Sequence, residues 1–210
     1  MRGKKLVSVA GMAALLAALL GCQAVFTFSP LSILQRDPSA LTPAQQMKYA
    51  EDALASGDAD AILSAYNALQ ADAAGSTDAG LNLLAAHLAM ELSGVPGLLN
   101  GVIAGDIDFS APDLGKFDDL LEGLDTFYLV DASSFYQGAN DNNGDLDSTD
   151  YLLGAACILF AGTDGEQVST ADLVAKGDAR DFLQDGIDAL PDGDPAADLL
   201  SGFQSFVDGL

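Results

Sequence analysis

The chain has 210 residues, with 31 Asp and Glu against eight Lys and Arg, and a formal net charge of −23. Because proteins bind nucleic acids through clustered basic side chains, this charge argues against a nucleic-acid partner. Half of the residues are nevertheless hydrophobic, which excludes a disordered acidic chain and indicates a folded core. Most of the acids are Asp, a residue that favours helix N-caps and turns over helix interiors.

The first 21 residues have the three zones of an export signal. Basic residues lie within the first five positions, and an apolar run follows from Leu6 to Leu20. The run has the length of a signal core and is short for a transmembrane helix. It ends in Leu19-Leu20-Gly21-Cys22, which resembles the lipobox of bacterial lipoproteins.

The lipobox resemblance implies that residues 1–21 are removed and that Cys22 becomes the lipidated first residue. Two or three acyl chains hold a protein on a membrane far more firmly than one chain does. In enterobacterial lipoproteins an Asp after the cysteine favours retention in the inner membrane. Since Gln23 stands there, the resemblance implies the outer membrane, facing the periplasm, if the cell is Gram-negative. Cleavage removes three of the eight basic residues and no acid, leaving five against 31 and a net charge of −26.

Residues 22–41 carry little periodicity and predict a lipidated tether, followed by a single all-α domain over residues 42–210. Thr42-Pro43 is typical of a helix start, and strand patterns are nearly absent. We expect helical hairpins packed as a bundle or a short irregular solenoid. The predicted helices cover residues 44–56, 60–71, 78–92 after a Ser76-Thr77 cap, 96–104, 114–124, 126–137, 148–161, 169–176, 179–189 and 195–208.

Residues 48–69 resemble a tetratricopeptide repeat, in which two helices turn through Gly-Asp and carry small residues where they cross. Gly57, Asp58, Ala61, Ala68 and Leu69 match that pattern. The turn is one residue short, the usual aromatic is displaced, and a second copy at the expected period is missing. The alternative is a generic Ala-rich helical hairpin.

The segment from Asn140 to Asp150 resembles an EF-hand loop between two helical patterns. Calcium prefers six to eight oxygen ligands, which the family supplies from alternate loop positions around a glycine turn. With Gly144 at the family's sixth position, Ala139 occupies the first position in place of an aspartate. A shortened register restores an acidic first ligand. The resemblance implies a calcium site with the following ligands: Asp141, Asn143, Asp145, Asp147 and Asp150.

Two departures weaken this calcium site, namely Ala139 at the first position and Asp150 where the family has a bidentate Glu. They imply affinity in the weak extracellular range, about 10⁻⁴ to 10⁻³ M. The alternative is an acidic turn in which Asp147 or Ser148 caps the following helix.

Catalytic patterns are missing from the sequence. His87 is the only histidine, so it cannot build a zinc site or a Ser-His-Asp triad alone. Cys157 lies in an apolar stretch and predicts a buried core thiol. Asp118, Asp119 and Glu122 indicate a solvated helix face rather than an acid and base pair. The sequence therefore predicts a protein that is not an enzyme.

Together these patterns predict a membrane-anchored envelope lipoprotein whose helical domain is a non-catalytic binding or scaffold module for another envelope protein. The alternative is a ligand- or ion-binding lipoprotein that serves a transporter, with its site between helices.

Overall fold

The computed structural model describes residues 38–97, 121, 123–163, 171–191 and 193–210, and within them it is all-α, with no strand. Leu41–Leu210 forms one compact unit, and of the preceding unit the described part is a 3₁₀ helix at Pro38–Ala40. The α-helices described are α1 (Pro43–Ser56), α2 (Ala59–Ala73), α3 (Ala79–Ser93), α4 (Thr126–Asp141), α5 (Ser148–Ala161), α6 (Leu173–Ala189) and α7 (Pro195–Gly209).

Aspartate begins nearly every described helix. In α2 to α7 the N-cap is an Asp whose carboxylate accepts a backbone N–H from the first turn. Such a cap contributes about 1 kcal/mol to a helix, and the negative charge also favours the positive end of the helix dipole. In α1 the N-cap is Thr42, and the Gln45 side chain accepts from the Thr42 backbone N–H at 3.1 Å. The excess of Asp over Glu is therefore partly a capping pattern.

Two sequence predictions about helix ends were wrong. The N-cap of α3 is Asp78 in place of the predicted Ser76-Thr77 cap. Asp78 directly precedes the helix and accepts from Leu81 N at 3.1 Å, while the Ser76 hydroxyl accepts from Asp78 N at 3.0 Å. The helices predicted over 169–176 and 179–189 form the single helix α6 instead. Gly177 weakens a helix by about 1 kcal/mol, but the buried face of α6 continues on both sides of it. Helices predicted over 96–104 and 114–124 fall almost wholly outside the described residues.

The helices pack in chain order, and α5 lies against α4, α6 and α7. Each described helix packs against the next, and in addition α1 packs against α3 and α7 against α5. Every residue from Asp150 to Phe160 is buried, so α5 is enclosed on all sides. A helix that is apolar all round is stable only in such a position. This arrangement leaves the polar faces of α2, α4 and α6 at the surface.

Candidate functional site

The predicted calcium loop begins with a helix C-cap. Asn143 is left-handed (φ 58°), Asn143 N donates to Asn140 O at 3.0 Å, and Gly144 N donates to Ala139 O at 2.8 Å. This is the Schellman pattern, which satisfies the last carbonyls of α4. A Cβ at Gly144 would lie 2.8 Å from Ala139 O, so glycine is required there by close approach. The left-handed residue is thus Asn143, one position before the glycine on which the sequence register was set.

The loop ends with a helix N-cap. Asp147 accepts from the backbone N–H groups of Thr149 and Asp150 at 2.8 and 3.0 Å. Asp150 in turn accepts from Asp147 N at 3.0 Å, which completes a reciprocal capping box. The second Asp150 oxygen lies 2.6 Å from Nε2 of His87 on α3. Two of the five predicted ligands therefore meet, and they do so around the start of α5.

The remaining predicted ligands have different surroundings. Asp141 faces α6 and lines a surface cavity there, Asn143 is the left-handed residue after the C-cap Asn142, and Asp145 is exposed. Across the described residues, no three His, Cys, Asp or Glu side chains are grouped so that they could hold a metal ion. Calcium binding by the loop remains a prediction, and a cation there would have to compete with His87 for Asp150.

An acidic cavity lies between α4 and α6 and has a volume of about 210 Å³. Three carboxylates of α6 share one helix face because they are spaced by three and four residues. The Phe182 ring contributes an aromatic wall. The lining residues are Gln137, Asn140, Asp141, Asp178, Asp181, Phe182 and Asp185. Sequence reasoning missed this cavity, although the spacing of the α6 aspartates was a visible signal. We refer to it below as the acidic cavity.

Asn140 joins the acidic cavity to the core. Its amide nitrogen donates to Asp185 Oδ2 at 2.7 Å, and its amide oxygen accepts from the Tyr151 hydroxyl at 3.2 Å. Burial raises the pKa of Tyr151, and the charges of Asp185 and Asp150 raise it further. The neutral phenol therefore remains a donor and holds Asn140 in place. Asn140 is thus fixed at the edge of a cavity to which its Asp residues give a negative charge.

The chemically reactive side chains of the core are sealed from solvent. Cys157 is fully buried, as the sequence predicted, and burial raises the pKa of its thiol. Burial also raises the pKa of Tyr136 well above its ordinary value, and its hydroxyl finds no hydrogen-bond partner among the described residues. The Tyr136 ring meets the His87 ring edge-on, with centroids 5.9 Å apart. Cys157 and Tyr136 are thus enclosed in the core, whereas His87 is partly exposed.

Several predicted features lie outside the described residues. They are the export signal over residues 1–21, the lipid acceptor Cys22, most of the tether and the acids Asp118, Asp119 and Glu122. In the described part of the chain, no helix is both long and apolar enough to cross a membrane.

The chain matches no protein-family model, no curated protein and no solved structure.

Proposed function

We propose that the chain is a cell-envelope lipoprotein, held on the membrane by lipid at Cys22, whose all-α domain is a non-catalytic scaffold for another envelope protein. The observation that carries the proposal is Leu19-Leu20-Gly21-Cys22 at the end of a basic and then apolar segment. In a Gram-negative cell, Gln23 after the cysteine supports the outer membrane, facing the periplasm.

The interior of the domain supports binding over catalysis. Cys157 is fully buried and its pKa is raised, which disfavours the reactive thiolate. The one histidine is engaged with a carboxylate that also caps a helix. The surface, in contrast, offers charged and apolar features that a partner can reach.

The charge of the domain determines which way it faces. A mature chain with five basic and 31 acidic residues is repelled by an anionic lipid surface. The 20 residues from Cys22 to Leu41 reach at most roughly 65 to 70 Å when fully extended. This reach exceeds the screening distance of about 8 Å at physiological salt. The domain is therefore directed toward the aqueous compartment.

A pull-down tests the scaffold proposal. The bait is a soluble form of the chain, with the export signal replaced and Cys22→Ala to prevent acylation, incubated with detergent-solubilised envelope membranes of the source cell. We expect saturable capture of an envelope protein, and unlabelled bait should compete for it. Capture no greater than that by an unrelated protein of equal net charge would contradict the proposal.

A second candidate function is binding of a cation or a cationic small molecule, in the service of a transporter, and the acidic cavity is the observation that favours it. Four carboxylates and an aromatic ring line one cavity, and both groups attract cations. Calcium is the first probe. Its binding should raise the melting temperature of the domain when the ionic strength is matched.

Two single variants separate the two places where calcium would bind. Asp145→Asn changes the loop, and Asp181→Asn changes the acidic cavity; both side chains are exposed, so folding should be preserved. Loss of the calcium shift in only one variant assigns the site. No shift at millimolar calcium in the unmodified chain would contradict both cation sites.

A further inference from the structure

The N-terminal end of α4 exposes large apolar side chains. Phe127 is 61% exposed and Val130 is 51% exposed, and they lie one turn apart on the same side of the helix. Solvent-exposed Phe and Val side chains in adjacent turns favour contact with another molecule. We call Phe127 and Val130 the apolar patch.

The apolar patch has a rigid base. The Tyr128 ring meets the rings of Phe127 and Tyr66 edge-on, with centroids 5.2 Å apart in both pairs. The Tyr66 hydroxyl also donates a hydrogen bond to Asp131 of α4, so α2 and α4 are tied together beneath the patch. Burial and this hydrogen bond raise the pKa of Tyr66, which keeps the donor in place. A pre-ordered aromatic anchor loses little conformational entropy when it is buried by a partner.

Charge restricts what can cover the apolar patch. Helices α2 and α4 contain no Lys or Arg, and two carboxylates of α4 flank the apolar patch along the helix: Asp125, the N-cap before Phe127, and Asp131, one turn after it. A second copy of the chain would bring the same charge into contact, and an anionic lipid surface would also be repelled. A partner with basic groups around an apolar centre is attracted. Charge complementarity thus selects a cationic occupant.

We propose that the apolar patch docks a cationic amphipathic helix of another envelope protein, an inference that rests on the scaffold function proposed above. In this arrangement Phe127 and Val130 contact the apolar face of the partner helix, and its flanking Lys and Arg side chains lie against the carboxylates of Asp125 and Asp131. Apolar anchors supply most of the affinity of such a contact, while the charges set the orientation and speed of docking.

The test uses a synthetic 18-residue Leu/Lys amphipathic helix as probe and a matched Leu/Glu helix as control. The soluble Cys22→Ala chain is titrated by calorimetry and by NMR chemical shifts. We expect the Leu/Lys helix to bind with shifts centred on the start of α4, and the Leu/Glu helix not to bind. The double variant F127S/V130S should weaken the affinity by roughly tenfold or more, since truncating a central anchor has that effect.

The matched control is L173S/V174S, which removes another exposed apolar pair at the start of α6. Its affinity for the Leu/Lys helix should equal that of the unmodified chain. Equal affinity of all three proteins would show general attraction to acidic surface and would overturn the proposal, as would an absence of binding. Circular dichroism melts establish that each variant is folded, which both should be because the substituted side chains are exposed.

The same variants separate this inference from the scaffold function. The capture from envelope membranes is repeated with a cross-linker. The docking site and the scaffold function are both supported if the unmodified chain and L173S/V174S capture a partner, F127S/V130S does not, and the cross-linked segment of the partner is a basic amphipathic helix. Equal capture by F127S/V130S keeps the scaffold function and overturns the docking site. Capture by none of the three overturns both.

Discussion

Helices α5 and α6 are neighbours that differ in almost every respect. From Asp150 to Phe160 every residue of α5 is buried, whereas α6 buries one face and exposes carboxylates on the other. Helix α5 contributes apolar contacts to the interior, and α6 exposes carboxylates to solvent. The contrast indicates that stability depends mainly on the interior around α5, while the binding that we propose depends on the exposed faces of α2, α4 and α6.

Shortening a buried side chain of α5 should change stability far more than shortening an exposed side chain of α6. Phe160 is fully buried, and we expect Phe160→Ala to reduce the free energy of unfolding by about 3 to 5 kcal/mol. Leu173 of α6 is 86% exposed, so Leu173→Ala should change it by less than about 0.5 kcal/mol. Urea unfolding of both variants provides the measurement. Similar losses would contradict the central position of α5.

Two glycines of α6 provide a finer test within one helix. A Cβ at Gly186 would lie 2.5 Å from Cγ and 2.8 Å from Cβ of Tyr151, near the base of a buried side chain that cannot swing away. Gly186→Ala should therefore destabilise the domain by about 1 to 3 kcal/mol. At Gly177 a Cβ would meet nothing within 4 Å, so Gly177→Ala should stabilise by about 0.5 to 1 kcal/mol. Shifts of melting temperature with the same sign would contradict the close packing of α5 on α6.

Alkaline pH tests the buried phenols. Burial raises the pKa of Tyr136, Tyr66 and Tyr151, so the fold favours the neutral phenol and the unfolded chain releases the proton more readily. The stability from these groups is present below the ordinary tyrosine pKa of about 10 and is lost as the pH rises above it. Melting temperature and phenolate absorbance, followed together from pH 8 to 12, should change in step. Ionisation of every phenol near pH 10 in a chain that remains folded would contradict the burial.

Tyr136→Phe is the matched control for the alkaline experiment. It retains the ring contacts and removes a hydroxyl that has no partner among the described residues. Since a buried unpaired hydroxyl is unfavourable, this variant should be at least as stable as the original at neutral pH and more resistant at pH 11.

The smallest expected effect concerns the accessibility of the Cys157 thiol. In the soluble Cys22→Ala chain, Cys157 is the only remaining cysteine. Because it is fully buried and its pKa is raised, we expect negligible reaction with a thiol reagent at pH 8 and complete reaction after denaturation. Rapid reaction of the folded chain would contradict the sealed interior of α5.

Local sequence patterns predicted most of the described helices. They could not predict which residues distant in the sequence contact each other. The bounds of α5 agree with the predicted 148–161 because an apolar run follows a strong cap at Asp147. The single helix α6 was missed because a local reading of Gly177 omits the core that supports both halves. The pairing of His87 with Asp150 joins residues 63 positions apart, which periodicity cannot reveal. For the same reason, the α6 aspartates could be seen as a stripe but not placed opposite Asp141.

Lipidation of Cys22 is the claim on which the proposed function depends most directly. Mass spectrometry of the N-terminal peptide should be performed on the chain purified from membranes of a bacterial host that expresses the full precursor. We expect a mature chain that begins at Cys22 and carries two or three acyl chains, and release of the Cys22→Ala variant from the membrane fraction. A membrane-bound chain that keeps residues 1–21, or one that begins elsewhere without acyl mass, would contradict the account.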